Sequence, residues 1–366
     1  MARLGLGKEW NCVFANEKSD KKAASYRSRF GPHGLKVCDV ADLKLADLPG
    51  TPTLAWASFP CQDLSLAGNG AGLAGDRSGT FRPFWNLIVQ LRKVDRHPQI
   101  VVLENVVGTL TSHGGADFQA IITSLVNAGY KAGAMVIDAV GFLPQSRPRL
   151  FIIGFDREID LPDALVASGP SDYWHGRTLR ASAEALPDRL RRNWVWWYLP
   201  SPTRRIAAFA DLIENRPTGV AWHSDTQTAH ILSLMSPLHR KKIEDAQRLG
   251  AKIVGTIYRR TRPDENGNRV QRAEVRFDQI SGCLRTPVGG SSRQTIIVVN
   301  GSKIRTRLLS PREAARLMGV PEDYPLPGNY NDAYHLFGDG LAVPVVAWLN
   351  RHLLAPLAAT RMMAAA

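Results

Sequence analysis

Cys61, Glu104, Asn105, Gln145, Arg147 and Arg149 are the side chains in this 366-residue sequence whose types and placement could share one reaction. Cys61 stands in SFPCQDLSLAG, directly after the apolar run 53–59. With Pro60 before it and a polar, Gly-rich loop after it, this cysteine reads as displayed, although a lone cysteine is commonly a small buried hydrophobe. Glu104 and Asn105 close the apolar run IVVLENV (100–106), and Gln145, Arg147 and Arg149 lie in FLPQSRPRLF. A thiolate beside guanidinium groups is a nucleophile near neutral pH. A neighbouring carboxyl can deliver a proton, and arginines can bind an anion. Arg147 and Arg149 alternate with Ser146 and Pro148, so an extended segment would send both to one side.

These residues need a scaffold that gathers the ends of strands. The runs 11–16, 53–59, 100–106, 133–139 and 150–155 are short, apolar and bounded by turn formers, which predicts strands. Amphipathic stretches at 19–30, 80–94 and 117–129 alternate with them and predict helices. Such alternation implies an α/β domain with a mostly parallel sheet, whose ligands bind beyond the carboxyl ends of the strands. From 161 to 307 the periodicity breaks up and Pro, Arg and Trp rise, predicting a smaller irregular domain with NWVWWY (193–198) in its core. Ser310, Pro311 and Glu313 form a capping box at the start of one helix, and another helix is predicted over Val343–Leu357.

The composition limits the function classes. With 46 Lys+Arg against 33 Asp+Glu the net charge is +13, and residues 255–312 hold 12 basic and 4 acidic side chains, or +8 of it. That concentration favours a polyanionic partner. No apolar run of the roughly 18 residues needed to span a membrane is read in the sequence. The 4 cysteines lack a CxxC pair, so neither a disulfide framework nor a metal site is expected.

The ordered set PCQ, ENV, QxRxR, SPREAARLMGVP and GDGLAVPVV, spread from about residue 4 to 350, resembles the C5-specific DNA cytosine methyltransferases. The resemblance implies a Rossmann-like, S-adenosylmethionine-dependent methyltransferase domain over 1–160 and a target-recognition domain over 161–307, with 308–366 returning to the catalytic domain. It implies that Cys61 adds to C6 of a cytosine flipped out of double-stranded DNA, activating C5 toward the methyl group. Glu104 would meet the N3 and amino edge and supply a proton. Arg147 and Arg149 would hold the base and its phosphate side, and Asn105 would brace the cysteine loop. For the S-adenosylmethionine cofactor, the resemblance assigns Glu17 to the ribose hydroxyls, Asp39 to the adenine amino group, and Pro60, Asp339 and Val343 to further contacts. Asp339 stands where Asn is commoner in the family, and Phe59 where Pro is frequent.

The basic stretch 258–295 falls where the family reads its target, with Gly289, Gly290, Ser291 and Ser292 suited to approach a phosphate. The family's opening strand and FxGxGG loop have no counterpart before GLGKEWNCVFANE, so the first strand of the sheet is expected to be missing. The implied setting is the cytoplasm of a prokaryote, or a phage gene, with the enzyme monomeric and any cognate restriction endonuclease acting separately. Two other readings stay open: a tRNA cytosine C5 methyltransferase of the same fold, and a catalytically silent DNA-binding relative.

Overall fold

The computed structural model describes residues 1–59, 80–203, 207–263, 266–285 and 293–364, with backbone only for Arg262 and 361–364. Pro60, Cys61 and Gly289–Ser292 lie outside the described residues. The chain divides into two compact units, one of Gly5–Asp138, Pro148–Ser201 and Val346–Ala366, the other of Met1–Leu4, Ala139–Arg147 and Pro202–Val345.

The first unit is the α/β domain. Strands β1 (Ala15–Glu17) and β2 (Leu35–Val37) pair in parallel as a sheet of their own. A four-stranded sheet holds β3 (Leu54–Ser58), β4 (Ile100–Val106), β5 (Tyr130–Asp138) and β6 (Pro148–Asp156) in the order β3-β4-β6-β5. No strand joins the two sheets among the described residues. β3 runs parallel to β4, whereas β6 is antiparallel to both its neighbours, β4 and β5. That reversal matters chemically, because it brings the first residues of β6 to the carboxyl end of β4.

β4 is central, and Ile100, Val101, Val102 and Leu103 are all buried, as a strand covered on both faces requires. Val101 and Leu103 share a core with Trp85, Ile88 and Leu91 of helix Phe81–Lys93 and with Phe118, Ile121 and Leu125 of helix Ala116–Asn127. β1 is shorter than its apolar run predicts. The Ala15 amide already bonds the Gly34 carbonyl, and Gly34 turns with φ +70° while a Cβ there would lie 2.9 Å from the Val13 carbonyl oxygen. The ladder therefore ends where the chain must turn.

The units part from the sequence boundaries in several places. Met1–Leu4, Ala139–Arg147 and residues 308–345, all read with the catalytic domain, group with the second unit, and only Val346–Ala366 returns to the first. Residues 161–201, read as the start of the irregular domain, stay with the α/β unit. The physical reason for that last grouping is a seam of main-chain bonds: Ala132 exchanges N–H···O bonds with Asn193 and Val195, and Val136 donates to Trp174. Gly133 makes the seam possible, since a Cβ there would stand 2.0 Å from the Val195 carbonyl oxygen. NWVWWY is a core segment as predicted, with Trp197 fully buried, but it forms bridges rather than a strand and belongs to the other unit.

The second unit holds an antiparallel sheet of β7 (Lys252–Pro263), β8 (Arg269–Arg276), β9 (Thr295–Asn300) and β10 (Lys303–Leu308), in the order β10-β9-β7-β8. One face packs Ile257, Val275, Ile297 and Val299 against Ile231 and Ile243 of helices Asp225–Ser233 and Pro237–Arg248. Helix Pro311–Leu317 starts with the predicted capping box. The Arg307 guanidinium, wholly buried, meets the same Glu313 carboxylate at 2.6 and 2.7 Å. The apolar stretch 330–360 has the length and composition of a membrane helix, but half of its most apolar window is buried and helix Tyr330–Gly338 ends before Val343.

Candidate active site

Glu104 and Arg149 meet at 3.3 Å, Arg149 Nε to Glu104 Oε1, with both side chains mostly buried. Their meeting follows from register. Glu104 pairs with Phe151 and Val106 with Arg149, so residues 104 and 149 are diagonal neighbours on one face of the β4–β6 pair. Asn105, on the opposite face by the period of a strand, donates from Nδ2 to the Phe59 carbonyl at 3.4 Å and accepts the Val106 amide at 2.8 Å. It thereby holds the peptide that leads into Pro60 and Cys61.

At the carboxyl ends of β1 and β2 stand two carboxylates. Glu17 Oε1 accepts the Ser19 amide at 2.8 Å, at the start of helix Asp20–Phe30. Asp39 follows β2, and its Oδ1 accepts the Ala41 amide at 3.0 Å while Oδ2 meets Lys18 Nζ at 2.6 Å. The Ala41 amide first, and Lys18 after it, hold the Asp39 carboxyl below the usual carboxylate range. Two acceptors at the ends of adjacent parallel strands suit the hydroxyls and amino group of a nucleoside. Lys18 escaped the sequence reading; its only signal was its place directly after Glu17.

The QxRxR segment does not act as one cluster. Gln145 and Arg147 belong to the second unit, Arg149 to the first. Gln145 donates to the Leu317 carbonyl at 2.6 Å and accepts the Leu284 amide at 3.1 Å. Arg147, only 3% exposed, donates to the carbonyls of Gly338 at 2.8 Å, Gly340 at 2.7 Å and Leu284 at 3.0 Å, and to Cys283 Sγ at 3.0 Å. The expected side-by-side projection of Arg147 and Arg149 fails because Ser146 and Arg147 precede the strand, which starts only at Pro148. Exposed Asp339 sits in the turn that Arg147 grips, and the Val343 amide bonds the Met318 carbonyl at 2.8 Å.

A family model for the C-5 cytosine-specific DNA methylases matches residues 2–354. The chain belongs to that family. It is a DNA (cytosine-5-)-methyltransferase, and its curated relatives agree. The type II methyltransferase M.Bsp6I of Bacillus sp. is 34% identical over 341 residues, covering 91% of this chain and 88% of the relative. M.BsuFI of Bacillus subtilis is 25% identical over 350 residues, covering 94% and 67%. Among solved structures, a DNMT2 mutant from Spodoptera frugiperda has a TM-score of 0.56 at 14% identity, over 98% of this chain and 95% of that one. The S. pombe Dnmt2 methyltransferase has 0.52 at 17%, over 95% and 91%. At those identities the two structures establish the methyltransferase fold, with its α/β domain and mixed sheet. In this methylase the family's motifs thus divide: ENV and the second arginine of QxRxR lie in the α/β unit, and the first arginine and GDG in the other.

Proposed function

We propose that this methylase acts at C5 of a cytosine flipped out of a specific sequence in duplex DNA, with Cys61 as nucleophile and Glu104 as proton donor. The observation that carries the reading is the Glu104–Arg149 pair at the carboxyl end of β4, with the adjacent Asn105 bonding the carbonyl of Phe59, the last described residue before Pro60 in the sequence. The Cys61 thiolate adds to C6 while Glu104 gives a proton to N3, which spreads the developing charge and makes C5 an enamine carbon. After methylation a solvent base takes the C5 proton, the thiolate leaves and N3 returns its proton to the Glu104 carboxylate, restoring the aromatic ring and the enzyme. Arg149 keeps the Glu104 carboxyl oriented and faces the base.

S-adenosylmethionine supplies the electrophilic methyl group when bound. Its nucleoside part fits the acceptors present: Glu17 would take the ribose hydroxyls and Asp39 the adenine amino group, with Pro60 and Val343 beside it. Asp339 would contact the cofactor from a turn whose shape Arg147 fixes through the Gly338 and Gly340 carbonyls. Arg147 is accordingly a positioning residue in this reading. The setting is the cytoplasm of a prokaryote or a phage-infected cell, where the enzyme works as a monomer and a restriction endonuclease, if paired with it, acts separately.

The test is a duplex with 5-fluorocytosine at the target, incubated with methyl donor. Fluorine cannot leave as the proton does, so a covalent adduct mapping to Cys61 is expected, and Cys61→Ala should form none. An adduct on another residue, or trapping by tRNA but not duplex DNA, overturns the proposal.

A further inference from the structure

The second unit's sheet has an overhang. β9 covers β7 only from Lys252 to Ile257, whereas β8 continues beside β7 as far as the Pro263–Arg269 pair. Beyond Tyr258, among the described residues, no third strand pairs with β7 or β8 apart from a single bridge of Ala273 to Met235, so the two run on as a ribbon about 17 Å long at the usual rise per residue. Ala273 is the last buried residue of β8 toward the tip; Arg259, Arg260, Thr261, Arg269 and Gln271 are exposed. A two-stranded ribbon without a core behind it is marginal on its own.

Its side chains oppose folding further. Arg260 lies directly across from Arg272, a like-charge cross-strand pair. Glu274 answers only part of that charge, Arg260 Nε to Glu274 Oε2 at 3.6 Å. Residues 258–273 contain 5 Arg against Asp264 and Glu265. On the opposite face Thr261 pairs with Gln271, uncharged donors and acceptors set beside Arg259 and Arg269.

We infer that this ribbon enters the major groove of duplex DNA, with Arg260 and Arg272 on backbone phosphates and Thr261 and Gln271 at base edges. The inference rests on the duplex-DNA reading above and names the element that recognises the sequence. A B-form major groove admits a two-stranded ribbon, whereas the deep, narrow major groove of A-form RNA does not. Phosphates relieve the Arg260–Arg272 repulsion without sequence preference, while an amide side chain such as Gln271 discriminates between bases.

The experiment is selection of duplexes from a random-sequence pool by the full chain, followed by affinity measurements over a salt series. Arg260→Gln and Arg272→Gln should each lose about tenfold affinity for every duplex and reduce the salt slope by about one. Gln271→Ala and Thr261→Val should keep affinity for scrambled duplexes while one base position in the selected sequence becomes degenerate. Unfolding midpoints should not fall below the wild type, as the replaced side chains are exposed or half-exposed and the two arginine replacements remove a like-charge pair. Wild-type selection of a sequence with all four variants unaffected would overturn the ribbon assignment alone. A wild-type chain that binds structured RNA and no duplex would overturn the duplex reading together with it.

Discussion

Arg149 and Arg147 are two positions apart in one motif, yet they serve different parts of the molecule. In the α/β unit, Arg149 meets a carboxylate at a loose 3.3 Å at the end of β4, where ligands of such sheets bind. In the other unit, Arg147 closes its fork on three carbonyls and a thiol, out of contact with solvent. The Arg307–Glu313 pair of that unit is likewise sealed, at 2.6 Å with neither side chain exposed. Buried guanidinium groups bonded to several backbone carbonyls hold backbone in place; one set against a carboxylate at strand ends can serve a substrate. The same residue type thus divides into scaffold and chemistry by what surrounds it.

This contrast predicts that site residues change rate and scaffold residues change stability. The largest effect is expected for Glu104→Gln, which should lower methyl transfer to duplex DNA by about 10²–10⁴ while barely moving the urea midpoint, since the amide still accepts from Arg149. An initial-rate loss under tenfold would erase the distinction. Glu313→Ala should do the reverse, costing about 3–5 kcal/mol in urea unfolding by leaving Arg307 buried and unpaired. Replacing Arg307 and Glu313 together by Met and Leu should recover most of that loss.

Arg147→Met comes next, at about 2–3 kcal/mol, because carbonyls of Leu284, Gly338 and Gly340 lose a charged donor. Calorimetry should also show weaker methyl-donor binding through the Asp339 turn, with duplex affinity retained.

The mildest effect concerns acid. His175 is buried against Trp196 and accepts the Ser171 amide on Nδ1 at 2.9 Å. Burial, with Arg180 nearby, pushes its pKa down from 6.5 to about 4. Below pH 6.5 the unfolded chain takes up a proton that the folded chain refuses, so stability should fall as pH drops from 6.5 toward 4. His175→Asn, which keeps an acceptor, should flatten that limb of the urea midpoint against pH.

Much of the site was legible because its signals are local. Glu104, Asn105 and Arg149 are polar residues at the ends of apolar runs, and period-two alternation already fixes which strand face each occupies. The capping box at Ser310 and Glu313 could be read from spacing, but not the second partner of the same carboxylate, because Arg307 comes from the preceding strand. The Trp-rich segment 193–198 was legible as core, but not as core of the α/β unit. Its cover over Gly133 comes from Val195, 62 residues away, with no local trace in the sequence beyond a glycine inside a strand.

By itself, then, the sequence determined the α/β class, the five ordered motifs of the methylase family and the excess of arginine near residue 260, since periodicity carries the first, resemblance in residue order and identity the second, and composition the third. The tertiary structure decided what pairing decides: that β6 runs antiparallel and so delivers Arg149 to Glu104, that Arg147 serves backbone, and that β7 and β8 outrun β9. Pairing register is set by contacts between distant segments, and a one-residue shift would turn every side chain to the opposite face.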